Sequence, residues 1–406
     1  MRKPSLLVIF LTVFIDLIGF GIVLPILPKY GERYGAHGWQ IGLIIASFSI
    51  MQFFFAPFWG KLSDRIGRRP VLLLGNFGSA VSYALFALSA SSSLSTNVSL
   101  AILVGSRVFA GICGATLSVA SAYIADISKP EERSKRMGLI GMAFGLGFIL
   151  GPVLGGLSAK HLGLQGPGWV AAGFCGFNFV LACFILGETR DPSKNAAATP
   201  RARWEDFRHA MQNPKLAALI SLFFLATLSF TCFESTLPLL LTFNFKSWDE
   251  SHVSYIFTYC GFLAALIQGG VIGRLVKAFG EEKLIAGSLV VVAISLVAIP
   301  YAHNLSFLLI ALALFAAGSG INRAPTMGLI SLNAPAELQG TILGVAQSAG
   351  TLARCIGPIL ATTLYAYSVA LPYITAGGIA LIAAVFAWQT ICKHPQHSHA
   401  VPAPAA

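Results

Sequence analysis

Twelve stretches of this chain are apolar over the length that a lipid bilayer demands, and no other feature constrains its fold as strongly. They run over 6–27, 40–62, 71–90, 98–125, 137–158, 169–187, 215–241, 251–276, 284–302, 305–332, 341–364 and 370–392. A helix rises 1.5 Å per residue, so about 20 apolar residues cross the hydrocarbon layer. No water is available there to pair with the backbone, which leaves α-helices or closed β-barrels as spanning structures. Continuous apolar runs, in place of roughly ten-residue alternation, exclude a barrel. The composition agrees, with 56% hydrophobic and 11% charged residues, where soluble domains carry roughly a quarter charged. The expected fold is an all-α membrane protein with twelve transmembrane helices.

The formal net charge of +11 points to membrane insertion and not to nucleic acid. With both termini on one side, Lys29, Arg33, Lys160 and Lys246 fall on the far side. Arg107, Arg323 and Arg354 lie within spans, and the other 20 of the 27 Lys and Arg share the side of the termini. That bias puts both termini in the cytoplasm of a multi-pass protein of the plasma membrane, or of the inner membrane in a bacterium. The first span carries Asp16 and lacks a small-x-small cleavage site, unlike a secretory signal. The seven cysteines sit in or at the ends of spans without metal-ligand spacing, so neither metal nor disulfide framework is expected. No glycine–lysine phosphate loop is present, so no cofactor, no enzyme activity and no ATP drive is expected.

Six spans precede the longest hydrophilic stretch and six follow it. The expected units are a first bundle over 1–187, a cytoplasmic linker over 188–214 with an amphipathic piece at 203–211, a second bundle over 215–392, and a disordered tail over 393–406. The halves repeat each other. Gly60, Lys61, Leu62 and Gly67 answer Gly273, Arg274, Leu275 and Gly280, and Leu24-Pro25 answers Leu237-Pro238 at the same offset. Pro130 and Glu132 answer Pro335 and Glu337, and Gly151-Pro152 answers Gly357-Pro358. Two six-helix repeats imply a site between them at mid-membrane depth.

Between spans 2 and 3 lies Gly60-Lys61-Leu62-Ser63-Asp64-Arg65-Ile66-Gly67-Arg68-Arg69-Pro70. Its glycines permit a tight turn, Asp64 can meet a helix N-terminus or a cation, and Arg65, Arg68 and Arg69 face the inner surface. Span 5 carries Gly147, Gly151-Pro152 and Gly155-Gly156, a small-xxx-small face for close helix approach, with a proline that invites a bend. Its counterpart in the second half keeps only Gly357-Pro358.

The loop segment resembles the signature loop of the major facilitator superfamily. The glycine-rich pattern of span 5 is similar to the motif found there in the twelve-span drug/proton antiporters of that superfamily. The stretch from Arg107 to Gly156, with Asp126 and Arg133, and the stretch from Asp16 to Pro25 are similar to tetracycline-efflux antiporters. The resemblance implies the major facilitator fold, proton-coupled efflux of small amphipathic molecules by alternating access, and a loop that latches the halves at the cytoplasmic face. It also exposes departures. Ser82, Ala265 and an apolar residue near Val292 stand where tetracycline antiporters carry an acid in span 3, a histidine in span 8 and an aspartate in span 9.

Charged groups inside spans are expensive and mark pathways. Here they are Asp16, Arg107, Glu234, Arg323 and Arg354. Glu234 shares a helix face with Thr227, Thr231 and Pro238, and Gln347, Thr351, Arg354 and Pro358 repeat that spacing in span 11. Gln52 and Gln268 complete the candidate lining. The expected partners are the bilayer, a small-molecule substrate and protons, with the chain acting as a monomer. Three intramembrane arginines against two carboxylates keep open a uniporter or importer of organic anions. A transport-inactive receptor or scaffold is the third alternative, and it would need neither the loop nor the polar stripes.

Overall fold

The computed structural model describes residues 5–128, 130–189, 212–334 and 339–392. Among these the chain forms twelve long helices and no strand: α1 (Leu6–Arg33), α2 (Trp39–Ile66), α3 (Arg68–Ser89), α4 (Thr96–Asp126), α5 (Pro130–Leu162), α6 (Gly166–Ile185), α7 (Pro214–Asn244), α8 (Glu250–Phe279), α9 (Glu281–Tyr301), α10 (Leu305–Asn333), α11 (Gln339–Tyr367) and α12 (Leu371–Cys392). Eleven are apolar and long enough to cross a bilayer by length and composition. The other, α11, has 29 residues, but Gln347, Ser348, Thr351 and Arg354 dilute its hydropathy. It is held by helices instead, packing against both α7 and α2. The amphipathic piece at 203–211, nearly all of the linker, the tail and the pair Pro335 and Glu337 lie outside the described residues, as do the side chains of Pro130, Glu132 and Arg133.

Several helices are interrupted where their sequence requires it. Pro25 sits in the turn that separates Leu6–Val23 from Leu27–Arg33 in α1. In α8, Ile267–Val271 forms a π-helical turn around Gln268, Gly269 and Gly270. The joints of the two repeats match closely. Gly67 alone separates α2 from α3 with φ +101°, and Gly280 alone separates α8 from α9 with φ +78°. Only glycine adopts such a backbone without strain, so one residue reverses the chain.

Four buried apolar clusters hold the molecule, and none mixes the halves. Two draw on residues from Ile9 to Leu186, for example around Ile22, Tyr30 and Phe86, or around Val71 and Tyr123. The other two draw on residues from Leu216 to Ile391. The six-helix halves therefore pack as separate bodies. They meet through α2 against α11 and α5 against α8.

That meeting is confined to one end. Lys29, His37 and Glu250 mark this far end, and the opposite, basic end carries Arg65, Arg68, Arg69, Lys277 and Lys283. At the far end a Cβ on Gly42 would lie 2.5 Å from Ile359 Cα, and one on Gly156 would lie 2.8 Å from Ser254 Cβ. Across the same contact Ser251 Oγ donates to the Gly156 carbonyl at 3.1 Å, and Lys29 Nζ lies 4.0 Å from Glu250 Oε1. Toward the basic end, Gly60, Gly145, Gly269, Gly270, Gly273 and Gly344 have nothing within 4 Å of where a Cβ would stand. The halves close at the far end and part toward the basic end.

Candidate functional site

At the basic end, Asp64 and Arg65 occupy the last turn of α2 rather than a loop. Asp64 pairs with Arg68 at 2.9 Å, and Arg68 Nε also binds Asp126 Oδ2 at 3.1 Å while its Nη1 donates to Ser63 Oγ at 2.6 Å. The Arg68 side chain is buried, as three acceptors around one guanidinium require. Glu188, immediately after α6, accepts the backbone N–H groups of Arg68 at 2.9 Å and Arg69 at 3.0 Å. It thus caps the start of α3 from a distant part of the chain, where the helix dipole favours a negative charge. Arg69 donates to the Cys183 carbonyl at 2.8 Å, and Thr189 Oγ1 to Asp126 at 3.1 Å. These bonds tie α2, α3, α4 and the exit of α6 together within the first half. The resemblance implies a latch between halves. In this conformation, open at the basic end, the network instead organises one half's rim.

The glycines of α5 divide between two tasks. Gly147, Gly151 and Gly155 face α1: a Cβ on Gly151 would lie 2.6 Å from Gly21 Cα, and one on Gly155 2.7 Å from the Ile22 carbonyl. Lipid gives helices no hydrophobic reason to associate, so this backbone contact, made over glycines on both helices, is what holds α1 to α5. Gly156 alone of this set points at the other half. Pro152 lies inside α5 without ending it.

The intramembrane charges gather as two clusters, one per half. In the first, Asp16 on α1 accepts a hydrogen bond from Ser79 and lies 3.8 Å from Cys175 Sγ. Tyr83 is within electrostatic reach of both Asp16 and Arg107. Arg107 is 2% exposed, and its guanidinium lies 5.4 Å from the Phe48 ring centre, a cation–π contact. The cluster holds one acid and one base, and Nε of Arg107 is buried without a hydrogen-bond partner.

The second cluster draws Glu234 from α7, Arg323 from α10 and Arg354 from α11 into mutual electrostatic reach. Oε1 of Glu234 is buried without a hydrogen-bond partner. Among the described residues, no carboxylate lies within 4.0 Å of either guanidinium. Arg323 is surrounded by helices yet open to water, and Gln347, on the Arg354 face of α11, is likewise exposed. Both positions therefore line the gap between the halves. Gln268 is exposed in the π turn of α8. Gln52 donates to the Gly114 carbonyl at 3.2 Å, binding α2 to α4.

Twelve helices in two like halves, meeting at one end and enclosing charge at mid-depth, match known proteins. The family model of the Major Facilitator Superfamily fits residues 9–358 and again 241–405. The chain belongs to the Major Facilitator Superfamily. Tetracycline resistance protein, class C, of Escherichia coli is 33% identical over 378 residues, covering 90% of each chain. Human major facilitator superfamily domain-containing protein 10 is 29% identical over 409 residues, covering 88% of this chain and 86% of that one. The crystal structure of the human organic anion transporter MFSD10 aligns with TM-score 0.70 at 27% identity, over 95% of this chain and 100% of that one. The nucleoside transporter NupG shares the fold, with TM-score 0.75 at 14% identity.

As a major facilitator the chain is a multi-pass membrane transporter, and its departures from the tetracycline pattern take physical form. Ser82 is buried and donates to the Ser79 carbonyl at 2.8 Å, a satisfied helix hydroxyl. Val292 is buried in the apolar core of the second half. Sequence reasoning missed Glu188, Tyr83, Cys175 and the Lys29–Glu250 pair. Glu188 follows a glycine at the end of a span, which is the one local sign that it serves as a cap. The others are ordinary residues until folding brings them together.

Proposed function

We propose that this chain is a secondary active transporter that exports small amphipathic molecules against a proton gradient, as a monomer in the plasma membrane, by alternating access. The observation that carries the reading is the one-ended closure: α2–α11 and α5–α8 touch at the far end, while the mid-depth Arg323 remains open toward the basic end. Positive-inside bias makes that end cytoplasmic. Asp16 and Glu234, one per half and well inside the spans, are the candidate proton carriers. Similarity to tetracycline resistance proteins supports export, though Ser82, Ala265 and Val292 argue for a different cargo.

The test is transport in everted vesicles with tetracycline, ethidium and 2-naphthoate as probes. At least one should accumulate only under an imposed inside-acid gradient, and the combined D16N and E234Q variant should lose that accumulation. Accumulation that ignores the gradient, or survives in the double variant, would contradict proton coupling through these residues. A second reading, transport of organic anions, is favoured by the surplus positive charge of the Glu234, Arg323 and Arg354 cluster and by the similarity to human MFSD10.

A further inference from the structure

The two charge clusters are not equivalent, and the difference bears on cargo. The first half holds one acid, Asp16, and one base, Arg107, and Arg107 is closed off by packing against Phe48. In the second half, two guanidinium groups face one carboxylate. The arginines stand within electrostatic reach of each other with no carboxylate at ion-pairing distance among the described residues. Like charges held together between helices repel, and an anion lying between them relieves that cost.

Helix packing fixes the relative depths. On α7 and α11, Gly350 meets Phe223 and Gly357 meets Thr231, so the two helices run in parallel and Arg354 stands level with the residues near 227. On α10, Phe315 packs against Phe233, with ring centres 3.9 Å apart. Because α10 runs the opposite way, Arg323 stands about eight residues nearer the basic end than Phe315, at much the same level as Arg354. Glu234 lies deeper by roughly 10 Å of helix rise. A molecule entering from the basic end meets the two arginines first and the carboxylate behind them.

We propose that Arg323 and Arg354 form a subsite for a single negative charge on the transported molecule, and that Glu234 sets that number to one. This rests on the transport reading above and adds the charge class of the cargo. With Glu234 ionised the cluster carries +1, which a monocarboxylate neutralises. A neutral molecule leaves the arginines facing each other, and a dianion leaves a net negative charge in the interior. Each guanidinium offers a planar fork of donors suited to a carboxylate. While ionised, Glu234, with Oε1 unpartnered, acts as the counter-anion that limits how much further charge the site accepts.

The experiment is equilibrium binding to the full chain in nanodiscs at pH 7.5, read by calorimetry. It uses three probes on one ring system: 2-naphthamide, 2-naphthoate and naphthalene-2,3-dicarboxylate. The wild type should bind the monocarboxylate at least about tenfold more tightly than either other probe. R354Q and R323Q should each remove most of that preference while retaining amide binding, which reports that the variant is folded. E234Q should shift the preference toward the dicarboxylate by about tenfold, an outcome that lost packing would not produce. Equal or absent binding of all three probes by the wild type, or an unchanged preference in the three variants, overturns the proposal. Flux plays no part in this readout, so failure of proton-driven export and failure of the anion subsite are told apart.

Discussion

Arg68, Asp64 and Glu188 show how one short motif holds both stability and movement. Glu188 supplies a half-buried cap to two backbone N–H groups, whereas the Asp64 side chain is 47% exposed in its pair with Arg68. Exposed pairs contribute little to stability, but a cap removed from a helix start costs about 1 kcal/mol. Glu188→Gln keeps one acceptor oxygen and should therefore lower thermal stability in detergent by about 1 kcal/mol. Asp64→Asn should leave stability within about 0.5 kcal/mol, while cutting flux at least tenfold because it frees Arg68 from one of its two carboxylates. A stability loss in Asp64→Asn larger than in Glu188→Gln would reverse these roles. Asp64, Arg65, Arg68, Arg69 and Asp126 were legible in the sequence because their spacing is local. Glu188 was not, since nothing in a chain indicates that a carboxylate about 120 positions away will cap a helix.

Among the helices, α5 carries the sharpest division of labour. Its glycine spacing announced a close contact, but spacing alone cannot say with which helix. The structure gives Gly151 to α1 inside the first half and Gly156 to α8 across the gap. Gly151→Leu should therefore damage folding itself, because the backbone of Gly21 must move to admit even a Cβ, and overpacking of this kind costs about 1–3 kcal/mol. Gly156→Leu should fold normally, with a thermal midpoint close to wild type, yet lose flux because the far end no longer closes. Gly145→Leu, with open space around it, serves as the neutral control. Equal stability of the Gly151 and Gly156 variants would show that the two faces of α5 are not distinct. The polar stripe of α11 teaches a related lesson. Gln347, Thr351 and Arg354 lower its hydropathy because that face looks into the gap between the halves while the helix is held by α7 and α2, so its span is visible in periodicity more than in composition.

At the scale of the molecule, the two-half architecture could be read from the count of spans and from the repeat that pairs Gly67 with Gly280. The way the halves meet could not, because it depends on pairs such as Lys29 with Glu250 and Gly42 with Ile359, which are hundreds of residues apart and of ordinary type. The central claim is that the halves rock, so that the far end opens as the basic end closes. Spin-label distances measured in nanodiscs at pH 8 and pH 5 test it. One pair of labels replaces Gly60 and Gly273 at the basic end, where nothing lies within 4 Å of a Cβ. The other replaces His37 and Tyr367, both exposed at the far end. The account predicts a dominant population with the basic-end pair apart and the far-end pair close, together with a second whose share changes with pH and in which both distances reverse. Distances that stay single-valued at both ends, or that lengthen and shorten together, would contradict alternating access in this chain.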